Sequence, residues 1–198
     1  MKLHLIFFVL AVAIWSQRNA NADIVKFIAT GAAGEGLLEG NILPTTGEQG
    51  SGGIGSAGII YNTDNNILRV HVEWGSANGY TDLSADAFRV HLHGPTPSSG
   101  DAAFGEVAPL LISLSTSVSF DASASSGGIN DLFFVDQTDE QALLDGRMYI
   151  NVHLSSEDKG VIRGYLQPVP EPGSIAVLGA IGVLISCRRR RRSSRCWC

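Results

Sequence analysis

Residues 88–94 read "FRVHLHG", and the reading of this stretch decides the fold. Phe88, Val90 and Leu92 alternate with Arg89, His91 and His93. In a strand, successive side chains point to opposite faces, so a period of two makes one apolar face and one polar face. The stretch predicts a half-buried strand with Phe88, Val90 and Leu92 in the core. His91 and His93 then share the polar face, and Gly94-Pro95 turns the chain away.

The same alternation recurs along the chain. "LRVHVEW" (68–74) sets Leu68, Val70, Val72 and Trp74 against Arg69, His71 and Glu73. "RMYINVHL" (147–154) sets Met148, Ile150, Val152 and Leu154 against Arg147, Tyr149, Asn151 and His153. "VIRGYLQ" (161–167) sets Ile162, Gly164 and Leu166 against Val161, Arg163 and Tyr165. Further strands are expected at "IVKFIAT" (24–30), "EVAPLLISL" (106–114) and "SVSF" (117–120), with Pro109 at an edge or bulge. Residues 31–58 hold ten glycines and read as loop, with a short strand at Leu37 to Ile42. Gly53, Gly55 and Gly58 match G-x-G-x-x-G, but strand and turn follow them rather than a helix, so dinucleotide binding is excluded. Thr138 with Gln141 fits a capping box for one short helix, and Gly146 suits its C-terminal end. Seven or eight strands, roughly, with glycine-rich turns predict an all-β fold. The expected architecture is an antiparallel β-sandwich or small barrel, Ig-like or superoxide-dismutase-like, with one short helix.

Both ends of the chain are of different character. Residues 1–22 carry Lys2, an apolar run from Leu5 to Trp15 and the small-x-small Ala20-Asn21-Ala22, which reads as a signal peptide. Its apolar run of 11 residues is too short to span a bilayer, which takes about 20. At the other end an apolar run, Ile175 to Cys187, precedes five arginines, Arg188 to Arg192. As a helix it would cover about 20 Å of a bilayer core about 30 Å thick. Between the ends, residues 23–168 form one β domain. Outside the leader and tail only six basic residues remain against 18 acidic ones, a formal charge near −12. Such a surface repels nucleic acid and attracts cations. All three cysteines, Cys187, Cys196 and Cys198, lie in the tail, so no disulfide is expected in the domain.

His91, His93 and His153 are the candidate metal ligands. Imidazole is a common ligand of zinc and copper, and three such groups complete an open site. The His-x-His strand supplies two and the Val-His strand the third, with Asn151 and Arg163 as neighbouring polar groups. There is no G-x-S-x-G elbow, no cysteine nucleophile in the domain and no pair of carboxylates marked out by context. A hydrolase or an organic-cofactor enzyme is therefore unsupported, and no catalytic residue is assigned.

Residues 24–168 resemble the CHRD family. The match runs through Ala87 and His91, then through Gly146, Tyr149, Asn151, His153, Gly160, Ile162, Arg163, Gly164 and Leu166 in order. The resemblance implies an all-β extracellular domain. Residues 169–198 resemble a PEP-CTERM sorting signal, with Val169, Pro170, Glu171 and Pro172 as its core, a short transmembrane helix, and Arg188, Arg189, Arg190, Arg191 and Arg192 as its basic end. That resemblance implies a Gram-negative bacterium, the secretion machinery, processing by an exosortase-type membrane enzyme, and delivery to the cell surface or extracellular matrix. The membrane association through the tail would then be transient. The expected function is a non-enzymatic binding or structural role, with extracellular polysaccharide or matrix protein as partner and no cofactor. The alternative is a histidine site for copper or zinc. That alternative is similar to copper/zinc superoxide dismutase, in which His91, His93, His153 and Arg163 would have counterparts, although its zinc loop and cysteine pair have none here.

Overall fold

A computed structural model describes residues 24–42, 50–154 and 160–170. The expected signal peptide lies outside the described residues. So does the sorting segment beyond Pro170, including Glu171, Pro172 and the arginine run. Among the described residues no helix is long and apolar enough to cross a membrane.

The described chain forms ten strands and one α-helix. These are β1 (Ile24–Gly31), β2 (Gly34–Glu35), β3 (Leu37–Leu38), β4 (Ser51–Asn62), β5 (Ile67–Trp74), β6 (Arg89–His93), β7 (Leu110–Ser113), β8 (Gly128–Phe134), β9 (Tyr149–His153) and β10 (Ile162–Pro168), with α1 (Gln137–Leu144) between β8 and β9. All pairings are antiparallel. The spatial order is β8-β5-β4, then β1 and β3 sharing a row, then β10-β9-β6-β7. The sheet folds over itself as a sandwich, which buries Leu68, Val70, Val72 and Trp74 of β5 against Val90, Leu92, Ile150, Val152, Ile162 and Leu166. Each fully buried side chain of this kind contributes about 1.5–3 kcal/mol of transfer free energy.

The all-β, sandwich-like architecture with one short helix follows the alternation. Several details differ. The glycine-rich stretch 50–58 is not loop, because β4 runs for 12 residues from Ser51, with a register shift against β5 between Ile54 and Ile59. Its glycines make room rather than break the strand: a Cβ at Gly53 would strike Tyr80, and one at Gly55 would strike the His71 ring. Residues 117–120 form a turn, not a strand: the Ser117 hydroxyl accepts the Ser119 N–H at 2.9 Å, a local bond that competes with a ladder, and the Ser117 and Ser119 hydroxyls also reach Asp131 and the Asn130 amide of β8. After Leu38 the chain leaves the extended form for a 3-10 turn over Glu39–Asn41. Phe88 is 56% exposed rather than buried, since the ladder begins at Arg89 and the ring lies under the Arg89 guanidinium, 4.8 Å away. Helix α1 is capped by Asp136, whose carboxylate accepts the Thr138 N–H at 2.9 Å, and not by Thr138. Gly146 ends it as expected, at φ +71°, with Gly146 N–H on Leu143 C=O and Arg147 N–H on Ala142 C=O.

Candidate metal centre

Strands β6 and β9 pair with Arg89 opposite His153, His91 opposite Asn151 and His93 opposite Tyr149. Strand β10 adds Arg163 beside Asn151 and Tyr165 beside Tyr149. Period two thus lays one polar array across three adjacent strands: Arg89 with His153, His91 with Asn151 and Arg163, His93 with Tyr149 and Tyr165. His153 sits diagonally from His91, a separation that long side chains bridge. One ring nitrogen from each of His91, His93 and His153 lies within 4.8 Å of the others. The ring centres are 4.8 Å apart for His91 and His153, 5.5 Å for His91 and His93, and 6.0 Å for His93 and His153. An ion about 2.0–2.1 Å from each nitrogen would need the nitrogens about 3.3 Å apart, a closure of roughly 1–1.5 Å by side-chain rotation.

The polar face of an antiparallel strand usually meets water. Here it is covered, and His91, His153, Asn151 and Arg163 are all buried. The cover is the segment 94–109 between β6 and β7. Its peptide groups bond to the array: Ala108 N–H donates to the Tyr149 hydroxyl at 3.0 Å, and Gly105 N–H donates to the Tyr165 hydroxyl at 2.8 Å. The Glu106 carbonyl accepts from Arg163 and from Tyr165, each at 3.1 Å. Ala103, Ala108 and Phe104 pack on Tyr149 and Tyr165. From the other side Asn41 donates to the Arg163 carbonyl at 2.9 Å. A Cβ at Gly160 would collide with the Asn151 amide, so glycine there lets β10 close on β9.

Within this cover the imidazoles are unevenly served. His93 Nδ1 lies 3.1 Å from the Ala108 carbonyl. A carbonyl only accepts, so Nδ1 carries the proton and Nε2 presents a lone pair. That His93 Nε2 is buried without a hydrogen-bond partner among the described residues, as are both nitrogens of His153. Burial holds the three groups neutral. It depresses His91 to about 4 and His153 to about 3, aided by the neighbouring imidazoles and by Arg89, and for His153 also by Arg163. His93 is lowered too, chiefly by burial. The three groups therefore reach neutral pH deprotonated, which is the state a metal requires.

His71 behaves differently. Its Nδ1 accepts the Ala57 N–H at 2.9 Å and its Nε2 donates to Glu73 at 2.8 Å. Both nitrogens are satisfied, and it stands apart from the cluster. Arg163 and Asn151 do join the array, with Arg163 Nε donating to Asn151 Oδ1 at 3.0 Å. The sequence reading passed over Tyr149 and Tyr165 as members of the site, although both occupy the alternate positions that carry Asn151, His153 and Arg163. It also passed over Asn41 and the backbone of 105–108, which no side-chain pattern marks.

The family model for the CHRD domain matches residues 30–166. No curated protein and no solved structure matches the chain.

Proposed function

This chain belongs to the CHRD domain family, and from that premise we propose that its β domain is an exported, non-enzymatic binding module in which His91, His93 and His153 hold one copper or zinc ion. The observation that carries the proposal is the set of buried, unpartnered ring nitrogens of His93 and His153 inside one cluster of ligand atoms. A buried polar group without a partner costs about 1–3 kcal/mol, and folds rarely keep several together. An ion supplies the missing partner. The hydrogen bond from His93 to the Ala108 carbonyl is the outer-sphere contact that orients a ligating imidazole and fixes its tautomer. Three neutral nitrogen donors suit copper and zinc and leave a further position open.

The leader and the Val-Pro-Glu-Pro tail support placement at the surface or matrix of a Gram-negative bacterium, after export and exosortase-type processing. The acidic surface of the domain supports a role among cations and polar matrix polymers rather than nucleic acid.

Calorimetric titration of the purified protein with copper and with zinc tests the reading. The expected result is one ion per chain at micromolar or tighter affinity. His91→Ala, His93→Ala and His153→Ala should each weaken it on the order of 100-fold. Unchanged binding in all three variants would remove the proposal.

A further inference from the structure

The geometry points to a choice of ion by charge: the His91–His93–His153 site takes copper as Cu(I) in preference to Cu(II) or Zn(II), and Arg163 sets that preference. This rests on the reading of the three histidines as ligands and goes beyond it by naming the ion and its oxidation state.

The ligands are all neutral. Among the described residues no carboxylate or thiolate joins the three imidazoles. A divalent ion bound there would keep its full charge in a buried place. The cost of burying an ion grows with the square of its charge, so it is about four times larger for a divalent ion than for a monovalent one. A d10 monovalent ion is also satisfied by three nitrogen donors, whereas zinc takes a fourth ligand.

Arg163 then adds a fixed positive charge. It is buried at 5% exposure, and its guanidinium donates to neutral acceptors: Asn151 Oδ1 at 3.0 Å, the Glu106 carbonyl at 3.1 Å and the Tyr165 hydroxyl at 3.2 Å. No carboxylate among the described residues forms an ion pair with it. Its central carbon lies 4.0 Å from the Tyr149 ring centre, and the His93 ring stacks on that same tyrosine at 5.1 Å, 7° from parallel. The two contacts together hold the guanidinium within about 9 Å of the His93 ring, through protein rather than salt water. At that range it repels a divalent ion twice as strongly as a monovalent one. Its three hydrogen bonds keep it from swinging away. Arg89, opposite His153, places a second positive group on the same face. The net negative charge of the domain does not cancel this, because surface carboxylates are screened and the guanidinium is buried.

The experiment is a set of chelator competitions on the purified full-length protein. Cu(I) is measured anaerobically against a chromophoric Cu(I) chelator, and Cu(II) and Zn(II) against chelators of their own. The expected Kd for Cu(I) is at least about tenfold below those for Cu(II) and Zn(II). Arg163→Gln should shrink the ratio of the Zn(II) to the Cu(I) Kd about tenfold, and Arg163→Lys, which keeps the charge, should retain it. A purely structural loss would weaken all three ions alike. Tighter Zn(II) or Cu(II) binding in the wild-type chain overturns the charge preference while leaving the metal site intact, and this comparison stands even if Arg163→Gln does not fold. An unchanged ratio in a folded Arg163→Gln overturns the role of Arg163. Failure of every ion to bind removes the metal reading itself, and this inference with it.

Discussion

His153 and His71 sit on polar faces of strands and look alike in sequence, yet their surroundings separate them. His71 has a donor on one nitrogen and a carboxylate on the other. His153 has neither, and its burial disfavours the charged ring. That difference has a consequence for stability. An unfolded imidazole titrates near 6.5, whereas folded His91 titrates near 4 and folded His153 near 3. Between those values the unfolded chain binds more protons, so stability rises with pH there. The metal-free protein should hold its full imidazole contribution above pH 6.5 and lose it progressively as pH falls towards 4. Carboxylates enter mainly below about pH 4.5, so denaturant unfolding between pH 5 and pH 7.5 isolates the histidines. A stability independent of pH across that window would contradict the depressed values.

At the scale of elements, β6 and β9 bring the ligands together and the segment 94–109 seals them. Tyr149 joins the two. Its hydroxyl accepts the Ala108 N–H, its ring stacks on His93, and the Ala108 carbonyl accepts from His93. Tyr149→Phe keeps the ring and removes the hydroxyl. It should cost about 1–2 kcal/mol in thermal or chemical unfolding. It should also weaken copper binding about tenfold without changing its stoichiometry. A variant identical to wild type in both respects would show that the segment does not orient His93. Much of this element structure was legible in sequence. Alternation placed Val90, Leu92, Ile150, Val152 and Ile162 inside, and put His91, His93, Asn151, His153 and Arg163 on one face. The cover was not legible, because 94–109 binds the array through peptide groups, which every residue carries alike. The extension of β4 was missed for a related reason. Glycine reads as a breaker, and its use as space for Tyr80 and His71 depends on neighbours distant in sequence.

At the scale of the molecule, the described residues form a sandwich with an apolar core, and the buried polar array of β6, β9 and β10 lies under a strap on an outer face. Its core needs no disulfide, in keeping with the cysteine-free domain. The domain's acidic surface draws cations towards it, while Arg163 and Arg89 make the array locally positive. If exported as proposed, the domain would meet metal outside the cytoplasm, with its ligands already deprotonated. The match of the CHRD family to residues 30–166 spans both β6 and β9, so the frame that carries the histidines belongs to the family region. X-ray absorption spectroscopy of the copper-loaded protein tests the central claim most directly. The expected spectrum has three nitrogen neighbours at about 2 Å with the outer-shell scattering of imidazole rings. Fewer than two imidazoles around the ion, or a spectrum unchanged by His153→Ala, would contradict the account.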